Sequence, residues 1–274
     1  MEKWWLILGC LAAGVQVSLA DFRLPFQEGE DLVFQIRWGV ITGGYATLSV
    51  PSIDKIDGKS AYHILSEARS TGMVDAFYRV KDKNEAWLDT ALPQSLRYSK
   101  TILEGKYSVD EVVELDQTAH KYHLTEVRHD KNNAREEKQG IIPASVLDVL
   151  SSLYYVRSLP LEVGKSFTID VHSGDKTWPL VVQVKKLEKV KVKAGKFLCY
   201  RVEPLLRERG IFISKGKKLE VWLTADAHHM PVLMRSEIFI GHVSAELVRQ
   251  KTQPPKDDHQ QLASSTVAAS RIPL

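Results

Sequence analysis

Three glycines lie close together in residues 38–44, WGVITGG, among residues that alternate in character as they do in a strand. A glycine cluster can cradle a phosphate, because a backbone without side chains can approach a ligand closely. A phosphate-binding loop requires Gly-Lys-Ser/Thr next, and a dinucleotide-binding loop requires a helix, whereas a strand-like segment follows here. We therefore interpret Gly39, Gly43 and Gly44 as structural residues of a hairpin, with Trp38 closing the apolar face of its first strand.

The histidines are arranged in pairs that do not suit a metal ion. His228 and His229 are adjacent in a turn-like segment, where neighbouring side chains rarely point at one ion. His120 and His123 are three residues apart in a strand-like segment, so their side chains fall on opposite faces. Neither pair offers the facing histidines of a helical zinc site. The sequence predicts neither a metal site nor another cofactor.

Residue types that serve as nucleophiles or as acid-base pairs are present without a recognisable arrangement. The chain has no Gly-x-Ser-x-Gly motif, and no pair among its many carboxylates stands out. Asp148 falls on the polar side of a helix-like segment, where an exposed structural acid is expected. Cys199 lies between apolar neighbours and is interpreted as a small buried hydrophobe. These patterns favour a protein without catalytic activity.

A basic segment, residues 185–196 (KKLEKVKVKAGK), carries the strongest binding signal. Lys189, Lys191 and Lys193 share one face of a strand, and two valines occupy the other. Such a row of charges could bind an anionic headgroup, a polysaccharide or a membrane surface. The alternative is a solvated face whose lysines block edge-to-edge association. A net charge of only +3 does not predict nucleic-acid binding.

The first twenty residues have the pattern of a secretory signal peptide. Lys3 precedes an apolar run that is too short to span a bilayer comfortably, and small residues follow before Asp21. Cleavage after Ala20 is expected; lipidation at Cys10 is the alternative, although its apolar lead-in is very short. Cleavage leaves Cys199 as the only cysteine, so no intrachain disulfide can form and a hydrophobic core must stabilise the protein.

Most of the remaining chain alternates with a period of two, which indicates strands. Asp57-Gly58 is a strong signal for a type I′ hairpin turn, because both residues tolerate positive φ. Residues 73–80 suit a short helix or an irregular crossover instead. The predicted strands are 32–38, 45–56, 60–69, 85–89, 95–103, 107–116, 121–129, 166–171, 178–192, 197–206, 218–224, 232–240 and 242–248. Many short strands at this spacing indicate a mainly β fold, an antiparallel β-sandwich or barrel-like sheets.

One amphipathic helix is predicted within residues 141–158, with Pro143 in its first turn. The apolar stripe consists of Val146, Val149, Leu150, Leu153 and Val156, and the polar side of Ser145, Asp148, Ser151 and Ser152. A single helix of this kind must pack its apolar stripe on a sheet or into the mouth of a barrel.

The helix separates two predicted β-rich halves, residues 21–140 and residues 159–248. Residues 130–140, which are polar, are interpreted as an exposed loop between elements. Residues 249–274 are polar, contain prolines and lack periodicity, so we expect a disordered tail.

Four segments carry a resemblance to a known family: residues 26–50, 148–164, 191–204 and 221–247. In this order they resemble the exported bacterial proteins of the domain of unknown function 3108 family, from the start of the mature chain to about Val248. The positions that the family pattern marks are Gly29, Glu30, Trp38, Gly44, Asp148, Tyr154, Gly195, Trp222, Asp226 and Pro231. The resemblance implies a β-rich protein of the Gram-negative envelope, with no catalytic residues to carry over.

The leading functional hypothesis is a noncatalytic protein, in the periplasm or associated with the outer membrane, that binds an amphiphile, lipid or glycan in its curved sheets. Peripheral contact with a membrane is compatible with this role. One alternative is an interaction module of an envelope assembly machine, with a protein partner at its strand edges or helix. Another is an envelope carbohydrate hydrolase, which requires two carboxylates or a Ser/His pair that converge in a cleft.

Overall fold

A computed structural model describes residues 24–206, 218–237 and 241–251. These residues form fifteen strands and two α-helices. The helices are α1 (Gly72–Asp75) and α2 (Val149–Val156). The strands are β1 (Asp31–Trp38), β2 (Ile41–Ile56), β3 (Lys59–Ser70), β4 (Lys81–Asp89), β5 (Ser95–Glu104), β6 (Tyr107–Asp116), β7 (Lys121–Arg128), β8 (Ala134–Ile141), β9 (Leu147–Asp148), β10 (Ser166–Ser173), β11 (Lys176–Val192), β12 (Gly195–Leu206), β13 (Leu219–Thr224), β14 (Pro231–Glu237) and β15 (His242–Lys251). The prediction of a mainly β fold is confirmed.

All fifteen strands belong to one sheet, in the order β8-β7-β6-β5-β4-β3-β2-β1-β15-β14-β13-β12-β11-β10-β9. From β1 to β8 and from β10 to β15, each strand pairs antiparallel with the next strand along the chain, and β9 alone pairs parallel, with β10. Pairing of β1 with β15 joins the strands that precede α2 to those that follow it. The sheet curls until β9 lies beside β5, where the Ser95 amide donates to the Val146 carbonyl at 3.0 Å. The architecture is therefore barrel-like.

The glycines of residues 38–44 form the predicted hairpin, but they act at three different places. Gly39 has φ +56° in the turn between β1 and β2, as a left-handed turn position requires. Gly43 lies at an irregularity of the β1–β2 pairing. A Cβ on Gly44 would lie 2.2 Å from the backbone oxygen of Arg69 on β3, so only glycine allows this close approach. Gly43 and Gly44 thus lie inside β2, not at the point where the chain reverses.

The core fills the concave side of the curled sheet. Inward residues of the first strands, such as Leu32, Phe34, Val50 and Ile64, have no exposed surface. Helix α2 packs against β3, β4 and β10 and adds Tyr154 and Val156 to this core. Trp38 is half exposed, so it does not close the apolar face of β1 as predicted.

Helix α2 begins later than its sequence predicts. It starts at Val149, and residues 143–148 form a loop and strand β9. Asp148 is the N-cap, accepting hydrogen bonds from the amides of Leu150 and Ser151 at 2.8 and 2.9 Å. The first amides of a helix lack partners within it, so a carboxylate at this position both ends the preceding strand and starts the helix. The prediction that Asp148, Ser151 and Ser152 face solvent was wrong, because all three are buried.

Two other sequence assignments change at segments rich in charge. Residues 134–141 form β8 instead of an exposed loop, preceded by a 3-10 helix at His129–Lys131. Strand β8 is mostly exposed and ends the sheet, and charged edge strands of this kind lack the alternation that marks a half-buried strand. Strand β15 continues to Lys251, into the predicted tail. The predicted signal peptide and the rest of the tail lie outside the described residues.

The far half of the β11–β12 hairpin bends over strands β14 and β15. The bend follows an irregularity in pairing between Val184 and Lys186, and the Ala194 amide donates to the Leu247 carbonyl at 3.1 Å. Cys199, on the β12 strand of this hairpin, is fully buried, as predicted, and burial raises the pKa of its thiol to about 11. Such a thiol is protonated and unreactive at neutral pH.

Candidate functional site

An apolar cavity of about 310 Å³ lies between α2 and the concave face of the sheet. Its volume is at the small end of the range for small-molecule sites in proteins. Its apolar wall includes Val149, Leu153 and Val156 of α2 and Phe34, Leu48, Leu180, Val182, Val202, Val221 and Met234 of the strands. A curled sheet and one short helix therefore form a cavity whose wall is almost entirely hydrocarbon.

Small side chains on adjacent strands create this space. Ala46 and Ser66 line the cavity from β2 and β3, whereas the next inward positions on these strands carry larger residues such as Leu48 and Ile64. Side chains in a protein interior normally interdigitate with few voids, so a void of this size is not an ordinary packing gap. Apolar cavities that are enclosed in a protein stay dry and can accept apolar ligands.

The border of the cavity carries a few polar groups. The Tyr98 hydroxyl donates to Oδ1 of Asn84 at 2.7 Å, and both residues line the cavity. Burial raises the pKa of Tyr98, so its hydroxyl stays protonated at any physiological pH. This pair closes one side of the cavity with a neutral hydrogen bond.

A charged pair follows on the same inward face, two residues beyond Tyr98. Lys100 pairs with Glu111 across β5 and β6, and Nζ of Lys100 lies 3.0 Å from Oε2 of Glu111. The other carboxylate oxygen of Glu111, Oε1, is buried and has no hydrogen-bond partner among the described residues. A buried carboxylate oxygen without a partner is costly, so this atom is an acceptor available to a ligand or a water.

The cavity opens toward one end of the barrel. Inward residues one step below it, Leu32, Val50, Ile64 and Ala86, have no exposed surface, whereas those one step above it, Ile36, Ala68, Asp82 and Lys100, are part exposed. The part-exposed side includes the β1–β2 turn and α1, and we call it the open end. The opposite side includes the Asp57-Gly58 turn and residues 225–230, and we call it the closed end.

A buried ion pair seals the closed end. The guanidinium of Arg157, just after α2, donates to both carboxylate oxygens of Glu30 at 2.7 and 2.8 Å, and neither residue reaches the surface. The rings of Phe26 and Tyr154 lie 5.3 and 5.0 Å from the guanidinium carbon. Bidentate geometry and aromatic faces are the surroundings in which a buried arginine is best tolerated.

The loop between β13 and β14 completes this seal. Asp226 accepts hydrogen bonds from the Thr224 hydroxyl at 2.7 Å and the His228 amide at 3.0 Å. Nδ1 of His229 lies 2.7 Å from the Arg157 carbonyl oxygen, so the ring caps the end of α2. His228 and His229 thus take part in hydrogen bonds that hold this loop and the end of α2. The described residues contain no group of three or more potential metal ligands.

The start of α2 is fixed by an equally complete network. Oδ2 of Asp148 accepts hydrogen bonds from the hydroxyls of Ser95 and Ser151, both at 2.6 Å. Burial raises the pKa of Asp148, and these hydrogen bonds oppose that rise. With the two amides at Oδ1, every acceptor site of this carboxylate is in use, and its role here is structural.

Of the residues marked by the family resemblance, Glu30, Asp148, Tyr154 and Asp226 come together around α2. Sequence reasoning missed the partner of Glu30, Arg157, because their separation of 127 residues hides the pairing. The sequence signal that could have indicated Arg157 was its position as a single arginine at the end of an apolar helical stripe. Trp222 is also buried, and its indole donates to Oε1 of Glu188 at 2.8 Å.

The predicted basic row lies away from the cavity. Lys189 and Lys191 are exposed on the far half of the β11–β12 hairpin, and Lys193 is exposed in its turn. Val192, between them, is buried as the alternation predicts. None of the three lysines lines the apolar cavity.

A larger groove of about 1050 Å³ lies near the closed end, around the β2–β3 and β6–β7 turns. Its lining mixes polar and apolar residues and carries charges of both signs, Lys55, Lys59, Arg97 and Lys121 with Asp57, Glu114 and Asp116. Mixed charges on open turns define no single ligand chemistry. The apolar cavity is the better candidate site because one kind of chemistry dominates its wall.

The fold and this cavity define a class: a barrel-like protein built from one curled, mainly antiparallel sheet around a short helix. Residues 33–248 match the family described as "Protein of unknown function (DUF3108)". The chain therefore belongs to this family. No curated protein matches the chain.

Three solved structures match the chain at low sequence identity. A β-barrel-like protein of the DUF1849 family from Brucella abortus has a TM-score of 0.55 at 11% identity, covering 82% of this chain and 98% of its own. An exported protein with a YmcC-like fold from Bacteroides fragilis has a TM-score of 0.37 at 10% identity, covering 84% and 98%. A lipoprotein from Parabacteroides distasonis has a TM-score of 0.37 at 9% identity, covering 83% and 98%. Only the first likeness supports a common fold.

Proposed function

We propose that this protein binds the hydrocarbon part of an amphiphile, such as a lipid, in the apolar cavity beside α2, without catalysis. The observation that carries the proposal is the cavity itself, about 310 Å³ with an almost purely apolar wall. Burial of apolar surface contributes about 25 cal/mol per Å², so an acyl chain would enter this space favourably. An apolar wall suits a hydrocarbon better than a glycan, whose hydroxyls would need partners there.

The polar border suggests how the other end of the ligand would be held. Lys100 offers an ammonium group to an anionic headgroup, and Oε1 of Glu111 offers an acceptor to a hydroxyl or an amine. Both lie on the inward face, between the cavity and the open end. An amphiphile that carries both acceptor and donor groups would therefore leave its chain in the cavity and its headgroup at this pair.

Export is part of the same proposal. It rests on the signal-like pattern of residues 1–20 and on the resemblance to exported proteins. The location would be the periplasm or the periplasmic side of the outer membrane. No helix among the described residues has the length and apolarity needed to cross a bilayer.

The absence of catalysis in this proposal is supported by what the buried carboxylates do. Glu30 is held by Arg157 and Asp148 caps α2, so neither has a free oxygen. Glu111 has one unpartnered oxygen, but its carboxylate is paired with Lys100 and has no second carboxylate beside it in the cavity wall. The cavity wall itself contains no carboxylate. An interaction module of an assembly machine would not require an internal cavity, so the cavity favours ligand binding over that alternative.

The proposal is tested by titrating a fluorescent long-chain fatty-acid analogue into the purified protein in aqueous buffer. We expect saturable uptake by the wild type and loss of uptake by Ala46→Phe, because the ring fills the cavity from β2. Ser66→Leu, which fills it from β3, should also weaken uptake. The matched control is Ala119→Phe, which adds the same ring on an exposed turn.

Native mass spectrometry of protein purified from its own envelope supplies an independent readout. We expect adducts with the mass of an amphiphile on the wild type and none on Ala46→Phe. Circular dichroism should show that Ala46→Phe and Ser66→Leu are both folded. Equal uptake by the wild type and by folded Ala46→Phe would contradict the proposal.

A further inference from the structure

Two apolar projections stand at the open end, and the proposed ligand binding does not use them. The β1–β2 turn carries Val40, which is 89% exposed. The crossover from β3 to β4, which contains α1, carries Met73 and Phe77, which are 77% and 89% exposed. Large apolar side chains this exposed are rarely grouped on a protein that meets only water.

The two projections are held beside each other by hydrogen bonds. The Thr71 amide, at the start of the crossover, donates to the Gly43 carbonyl of β2 at 3.0 Å. The Tyr78 amide donates to the Val74 carbonyl at 2.7 Å, which closes the crossover on itself. The Ser70 hydroxyl also donates to Asp75. Val40, Met73 and Phe77 are therefore presented on ordered backbone at one end of the barrel.

Cations without ion pairs accompany these projections. Arg79, Lys81 and Lys106 are exposed, and none of them has a salt bridge within the described ranges. The carboxylates nearby are engaged: Glu67 with Arg69 at 3.6 Å, Asp75 with Ser70, and Asp82 with the Leu103 amide at 3.2 Å. Glu104, which is part exposed, lies beside Asp82. The remaining exposed groups at this end are mainly apolar tips and positive charges.

We propose that the open end docks on the surface of a phospholipid bilayer. Val40, Met73 and Phe77 would insert among the acyl chains at the interface, and the three cations would contact lipid phosphates. The inference builds on the proposed ligand binding, because docking would bring the cavity mouth to the membrane that supplies the amphiphile. Exposed apolar tips flanked by unpaired cations match the interface of a bilayer, where phosphates lie next to acyl chains.

The test is co-sedimentation of the purified protein with vesicles of phosphatidylcholine and phosphatidylglycerol. We expect Phe77→Asp and Val40→Asp each to weaken binding about tenfold or more, since each removes one apolar insertion and adds a repelled charge. The matched control is Ile141→Asp, because Ile141 is 83% exposed but lies at the opposite end of the sheet, on β8. Ile141→Asp should bind vesicles like the wild type.

Two outcomes overturn the docking proposal: no co-sedimentation of the wild type, or an equal loss for Ile141→Asp. Uptake of the fatty-acid analogue from vesicle-free buffer separates docking from ligand binding. Phe77→Asp should retain uptake while losing vesicles, and Ala46→Phe should retain vesicles while losing uptake. If the wild type binds vesicles but takes up no fatty-acid analogue, the proposed function is contradicted and the docking proposal is supported.

Discussion

The closed and open ends of the barrel each contain a buried carboxylate paired with a cation, and the two pairs differ in how completely the carboxylate oxygens are hydrogen-bonded. At the closed end, Arg157 and Glu30 are fully buried and satisfy each other with two hydrogen bonds. At the open end, Oε1 of Glu111 is buried without a partner above an apolar cavity. The ion pair at the closed end therefore has a structural role, whereas the cavity and the unpartnered oxygen toward the open end are the features on which the proposed ligand binding rests.

Helix α2 is fixed at both of its ends. Its N-terminus is capped by Asp148, and the residue after it, Arg157, is anchored to Glu30. Between these fixed points its apolar side chains Val149, Leu153 and Val156 form one wall of the cavity. Other buried polar atoms toward the closed end have no hydrogen-bond partner among the described residues, namely the Tyr154 hydroxyl, Nε of Arg97 and Oε1 of Gln117. Rigid attachment at both helix ends allows the wall between them to stay underpacked.

The largest effect is expected from Arg157→Met, which leaves the Glu30 carboxylate buried and uncompensated. Breaking a buried ion pair in this way typically costs about 3–5 kcal/mol. Chemical unfolding should therefore show a corresponding fall in the free energy of unfolding. The control is Arg249→Met, which breaks an exposed pair with Asp31 and should change stability by about 1 kcal/mol or less.

The double variant Glu30→Met/Arg157→Met sharpens this prediction. Replacing both partners by apolar residues removes the uncompensated charge, so the double variant should be more stable than Arg157→Met alone. An Arg157→Met protein as stable as the wild type would contradict the claim that the buried ion pair stabilises the closed end.

A smaller effect is expected at Gly44, on the open-end half of β2, where the backbone itself is tightly packed. Gly44→Ala places a Cβ against the Arg69 carbonyl, and overpacking of this kind costs about 1–3 kcal/mol. Gly43→Ala is the matched control, since its Cβ would lie 3.9 Å from the nearest atom. Thermal unfolding of both variants measures the difference. Equal stability of the two would contradict the close approach and reopen a functional role for Gly44.

The smallest effect concerns Asp82, at the open end. Burial, with the charge of Glu104 beside it, raises the pKa of Asp82 to about 6. Between about pH 4 and pH 6 the folded state thus binds more protons than the unfolded state, so this group makes stability fall as pH rises through that window. Asp82 is only half buried, so solvent screening limits the change to about 1 kcal/mol or less.

Asp82→Asn should remove this dependence, which urea unfolding at several pH values can measure. The amide keeps an oxygen for the Leu103 amide but carries no charge. Asp116→Asn is a control of opposite sign, because hydrogen bonds from the Ala119 and Thr118 amides lower the pKa of Asp116. A wild type whose stability rises steadily from pH 4 to pH 6, with the same slope in Asp82→Asn, would refute the role of Asp82.

Several features of the fold were readable from local patterns. Asp57 and Gly58 both adopt positive φ in the β2–β3 turn, as a type I′ hairpin requires. The alternation of Lys191 and Val192 placed each on the correct side of β11. Local signals failed where tertiary contacts decide: β8 was missed because its edge position permits charges on both faces, and Asp148 because its burial depends on Ser95 from a distant strand.

The candidate site could not be predicted in this way. Its wall combines α2 with residues from Phe34 to Met234, and its volume depends on how tightly the sheet curls. Ala46 and Ser66 look like ordinary strand residues until the structure places them opposite an underpacked helix. Sequence reasoning instead selected the lysine row, which stands out in composition but lies on the outer hairpin.

By itself, the sequence determined the mainly β class, the turn at Gly39 and the burial of Cys199, because period-two alternation and turn residues act over a few positions. Four ordered segments carried the resemblance to the family. Tertiary structure alone decided the single curled sheet, the pairing of Glu30 with Arg157, the cavity beside α2 and the exposed tips at the open end. These features bring together residues separated by tens to hundreds of positions, and no local pattern records which distant partner removes a side chain from water.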